Sequence, residues 1–96
     1  MVSVTKEAAR RQVRRAERAL RRARRTFQDA EDAVWFAEKN WALSHRGYRH
    51  HKRCASEVRH ADAKLARAYR KLRQAKNRLT DAEDNLMKFK QTLRNS

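Results

Sequence analysis

From Val13 onward, large apolar residues recur every seven positions, at Val13, Leu20, Phe27, Val34 and Trp41. A small residue follows each by three, at Ala16, Ala23, Ala30, Ala37 and Ser44. This is a 4-3 heptad pattern with a large residue at a and Ala at d, which marks a helix that buries one stripe against another helix. The second half repeats the scheme, with Val58, Leu65, Leu72, Leu79, Leu86 and Leu93 at a. Its d positions are Cys54, Ala61, Ala68, Ala75, Ala82 and Phe89. Both halves also carry Asp-Ala-Glu-Asp, at Asp29 to Asp32 and at Asp81 to Asp84. The pattern predicts two long helices related by an internal duplication.

The phase breaks between the halves. Continuing the first heptad would put an a position at Tyr48, whereas the second half has one at His51. The only glycine, Gly47, lies at the break. Placed just past a helix end, it would put Leu43 and Tyr48 in the apolar contact of a Schellman cap. The expectation is an all-α, antiparallel two-helix coiled-coil hairpin with an Ala-rich seam. Residues 1–96 would form one unit, with helix 1 over about 4–46, a turn around Gly47 and helix 2 over about 49–94. A turn at that point makes the numbers of facing residues sum to about 95. Each central layer then sets one large residue against one Ala, and the axes approach to about 8 Å. In that register Asp81 to Asp84 face Arg11 to Arg14, and Asp29 to Asp32 face the segment carrying Lys64 and Arg67. The arms would be about 60 Å long at 1.5 Å per residue. A continuous helix paired with a second chain satisfies the same sum, but the phase break and Gly47 favour the hairpin.

Composition narrows the alternatives. One Gly and no Pro leave little from which to build the turns of a β fold, and one Cys excludes an internal disulfide framework. The longest apolar run, Ala33 to Ala37, is far short of a membrane span. The residues after Met1 contain no apolar signal region, so the expected location is the cytoplasm, or association with a virion.

Charge points to the kind of partner. Lys and Arg number 26 against 11 Asp and Glu, for a formal charge of +15. The residues expected to meet an anion or nucleic acid are Arg10, Arg11, Arg14, Arg15, Arg18, Arg21, Arg22 and Arg25 in the first arm. Arg46, Arg49, Lys52 and Arg53 would do so at the tip, and Arg67, Arg70 and Arg73 in the second arm. They fall at several heptad positions and so encircle the rod. Contact would be with phosphates, insensitive to base sequence and steeply salt-dependent, because no base-reading module is present.

The aromatics form a second surface. Trp35 and Phe36 fall at b and c, away from the partner helix, and Leu43 repeats the c position one heptad later. With Tyr48 near the turn they form an expected protein-interaction patch, through which two hairpins could pair into a four-helix bundle. A His-rich tip comprises His45, His50, His51, Cys54 and His60. Cys54 and His51 there are expected to close the seam, facing Trp41 and Ser44, so no metal site is expected. No nucleophile–base pair sits in a pocket that would exclude water, so neither an enzyme, a small-molecule substrate nor a cofactor is expected.

The combined expectation is a non-catalytic, basic helical-hairpin interaction protein that binds a protein partner or itself. Its size suits a small phage or bacterial accessory, assembly or regulatory factor. Sequence-nonspecific nucleic-acid binding through the Arg-rich arms is the alternative, and attachment to an anionic membrane surface ranks last.

Overall fold

The computed structural model describes residues 5–50 and 54–96. They form two helices, α1 (Lys6–Arg49) and α2 (Ala55–Arg94), packed side by side as an extended hairpin measuring 71 × 19 × 13 Å. The described residues contain no strand. Thr5 starts α1, its side-chain oxygen accepting a bond from the Ala8 amide at 3.2 Å, so one of the unpaired first-turn donors is satisfied. Helix α2 begins without such help. Its N-cap is Cys54, and no side-chain bond caps the first turn.

The predicted stripe is the buried one. Ala9, Val13, Ala16, Leu20, Val34, Ala37 and Ser44 are buried on α1, and Ala61, Ala68 and Ala75 on α2. Val34, Ala37 and Ala68 form one cluster, with Leu65 and Leu72 packed against it. No buried side-chain polar atom among the described residues lacks a hydrogen-bond partner.

The turn differs from expectation. Helix α1 runs through Gly47 to Arg49, and its C-cap is His50, whose amide donates to the carbonyl of Arg46 at 3.1 Å. The φ of His50 is −96°, outside the left-handed region, so the C-cap position itself has no need of glycine. Gly47 lies inside the last turn, which also carries Arg46 and Arg49 facing the negative end of the helix dipole. Helix α2 correspondingly starts at Ala55 and not near 49. The connection spans His50 to Cys54, and residues 51–53 lie outside the described residues.

Moving the turn moves the register. His45 bonds to Asp62, a pair whose numbers sum to 107, and Trp41 bonds to Asp62, summing to 103. Thr26 shares a groove with Arg78, and Ala33 shares one with Lys71, both summing to 104. Facing residues therefore sum to about 105 and not 95, a relative shift of about ten residues. At this level the d residues meet one another, as Ala37 with Ala68, Ala30 with Ala75 and Ser44 with Ala61. The a residues likewise meet, as Val34 with Leu72. The predicted layers of one large residue against one Ala give way to alternating small and large layers. The heptad alone does not distinguish these, because the 4-3 spacing brings stripe against stripe both with a opposite d and with a opposite a.

Residues flanking the seam disfavour a whole-heptad slip from the observed register. The observed register sets Glu17 opposite Lys90, Arg24 opposite Glu83, Glu31 opposite Lys76 and His45 opposite Asp62. Slipping one heptad back toward a tighter turn would oppose Glu17 with Glu83, Arg24 with Lys76, and Glu38 with Asp62. Like charges directly opposite are unfavourable, so the flanks reject that slip. The two Asp-Ala-Glu-Asp blocks still face basic segments, now Arg73 to Lys76 and Arg21 to Arg24. None of their carboxylates lies within ion-pair distance of a described Lys or Arg, so the blocks act through longer-range fields and not direct bridges.

Candidate interaction surfaces

Trp35 and Phe36 are adjacent on α1 and project away from α2, because the seam takes up positions 34 and 37 on either side of them. They are 52% and 64% exposed. Their rings meet edge to face, with centroids 4.8 Å apart and planes at 84°. Lys39, one turn on, places its Nζ 4.0 Å from the Trp35 ring centroid, a cation–π contact that holds the indole in place. Leu43, one heptad after Phe36, adds a third large apolar side chain to this face and is 56% exposed.

Tyr48 does not join them. It follows Trp41 by seven residues and lines a shallow groove with Trp41, Ala42, His45, Arg46 and Arg49, around the helix from Phe36. It is about half exposed there. The outward patch is thus a triad of Trp35, Phe36 and Leu43.

A cross-helix clasp near the turn was not evident in the sequence. The Trp41 indole Nε1 donates to Asp62 Oδ1 at 2.7 Å, and His45 Nε2 lies 3.0 Å from the same oxygen. The Trp41 and His45 rings stack with centroids 4.1 Å apart and planes at 36°. Two side chains of α1 thus converge on one carboxylate oxygen of α2, and the hydrogen bonds from His45 and Trp41 hold Asp62 below the usual carboxylate range. One heptad further along the same flank, partial burial and then the neighbouring Glu38 carboxylate push the Tyr69 hydroxyl up. The signal for this clasp lay in the flanking positions, but only the correct register brings His45 and Asp62 together.

Cys54 does not close the seam as expected. It precedes α2 in extended backbone and is exposed, with Sγ 2.9 Å from Ser56 Oγ. The Ser56 hydroxyl and the Glu57 amide lower its thiol pKa. His45 is committed to Asp62, and His51 lies outside the described residues. Among the described residues, no three His, Cys, Asp or Glu side chains converge in a way that could hold a metal ion.

The expected anion-contact arginines that fall on described residues are all exposed. Lys52 and Arg53 lie outside them. With +15 spread over 71 Å, the rod carries roughly one net charge per 5 Å, against one negative charge per ~1.7 Å of duplex DNA. No helix among the described residues is long and apolar enough to cross a membrane.

Fold and surfaces together define a class: an extended two-helix hairpin whose side chains fill its own seam, leaving its chemistry on the outside. Within that class, comparison with protein-family models, curated proteins and solved structures finds no match to this chain.

Proposed function

We propose that this chain is a non-catalytic interaction protein whose hairpin presents the Trp35–Phe36–Leu43 face to a protein partner or to a second copy of itself, in an accessory, assembly or regulatory role. The observation carrying this reading is the pair of adjacent aromatic rings, both more than half exposed, fixed against each other and under Lys39. Aromatics contribute most of the binding energy in many interfaces, and here they are pre-ordered, which lowers the entropy lost on docking. Trp35→Ala combined with Phe36→Ala tests it. The double variant should keep its helical circular dichroism while losing self-association in sedimentation, or losing a partner that the parent chain captures. Loss of helicity would assign the patch to the fold instead.

A second reading, nucleic-acid binding through the arms, is favoured by the exposed arginines of α1 and α2, which form no direct bridge to the acidic blocks. It requires a mobility shift of duplex DNA at micromolar protein and physiological salt, with affinity falling steeply as salt rises. Absence of a shift under those conditions removes it.

A further inference from the structure

The two flanks of the seam are built differently. One side carries long side chains of complementary type, from Glu17 opposite Lys90 to the bonded Trp41–His45–Asp62 clasp. On the other side, the α1 positions flanking the seam are small or short: Ala19, Thr26 and Ala33. An open groove results there. Two hollows of about 480 and 380 Å³ lie end to end along this flank, with Thr26 and Arg78 lining both. Along α1 they extend from Arg15 to Ala33, about 27 Å at 1.5 Å per residue, or five helical turns.

The floor is methyl-rich, formed by alanines of both helices. Phe89 closes one end. The edges are basic: Arg15 and Arg22 on α1, Lys71 and Arg78 on α2, against the carboxylates of Asp29 and Asp81. None of these four cations is bridged to a described carboxylate.

We infer that this groove takes a third helix, an acidic amphipathic segment of about 18 residues from a partner protein. An Ala floor lets a third helix axis approach closely, and apolar ridges on that helix would pack between α1 and α2. The basic edges would then face its acidic flanks, so the charge selects the sign of the partner. A second copy of this chain does not fit that description. It carries +15, and its only acidic blocks are four residues long. A nucleic-acid backbone would meet the four cations but gain nothing from the methyl floor. This site lies along the arms, apart from the Trp35–Phe36–Leu43 face, and does not depend on it.

The test uses the full chain and a fluorescein-labelled 18-residue peptide, with Leu at every third or fourth position and Glu elsewhere. Binding is read by anisotropy at physiological salt. The control has the same composition with the Leu positions scrambled. The amphipathic peptide should bind saturably and at least about tenfold more tightly than the scrambled one, a factor worth 1.4 kcal/mol. Ala19→Gln with Ala33→Gln fills the groove without entering the seam or changing charge. It should weaken binding about tenfold while leaving helicity and melting temperature unaltered. Equal binding of both peptides would reduce the effect to simple charge attraction and overturn the inference. So would unchanged affinity in a folded groove-filled variant, or no saturable binding. Should Ala19→Gln with Ala33→Gln instead convert a sedimenting dimer to monomer, a second copy is the occupant and the inference also fails. Should that pair unfold the chain, Arg22→Glu with Arg78→Glu, outside the seam, takes its place. It must abolish peptide binding for the inference to stand.

Discussion

Replacing Gly47 by Ala separates the observed turn from the one expected from the heptad break, because the two give opposite signs. In the structure Gly47 lies in the last turn of α1, and the helix continues to Arg49. There Ala restricts the unfolded chain and extends the run of good helix formers. The gain for an interior position is about 0.8–1 kcal/mol, somewhat less so near the end. Were Gly47 instead the left-handed residue past a helix end, its new Cβ would clash with the carbonyl, costing about 1–2 kcal/mol. The separation is therefore roughly 2–3 kcal/mol. For a domain of this size, 1 kcal/mol moves the melting temperature by about 4–8 °C. Thermal denaturation followed by circular dichroism at 222 nm should show Gly47→Ala melting a few degrees above the parent. A melting point lowered by several degrees would refute the continuous helix, and with it the register derived from the later turn.

Two further outcomes follow from the same geometry. In a Cys54→Ser background, Ala37→Cys with Ala68→Cys should form an intramolecular disulfide under mild oxidation, since small facing residues allow the short Cα separation a disulfide needs. Ala37→Cys with Val58→Cys, aligned only if facing numbers sum to 95, should not; cross-linking of that pair alone would disprove the register. The Trp41–His45–Asp62 clasp has a pH signature. The pKa of Asp62 is lowered in the folded state, so its stabilising contribution is fully present above the unfolded carboxylate value near pH 4 and is lost as pH falls through the folded value. The melting-point difference between the parent and Asp62→Asn should thus be constant above about pH 5 and shrink below pH 4. A difference that does not vary with pH would mean that Asp62 ionisation does not support the hairpin.

The heptad was legible because it is a local rule. A seven-residue spacing of Val, Leu, Phe and Trp with Ala three residues on states both that the chain is helical and which stripe it buries, whatever the partner. Those residues are the ones buried or half-buried along the seam, with Trp41 and Cys54 at the turn end the exceptions. Trp35, Phe36 and Leu43 were legible for the same reason, since an apolar residue off the stripe of a two-helix rod has nothing to cover it. Tyr48 was grouped with them by nearness in sequence, but helical phase puts it around the rod, beside Trp41.

What the sequence determined by itself, then, is a helical pair with an Ala-lined seam, an outward aromatic face and a basic surface. Each follows from periodicity or charge within one helix. Tertiary structure decided where the chain turns, and hence which residue faces which. A 4-3 repeat lets one stripe meet the other with a opposite d or with a opposite a, at more than one heptad shift, and Gly47, the one apparent marker, lies inside a helix and not beyond its end. The choice rests with pairs between the helices, such as His45 with Asp62 and Arg24 opposite Glu83. Their complementarity becomes visible only when the two helices are side by side.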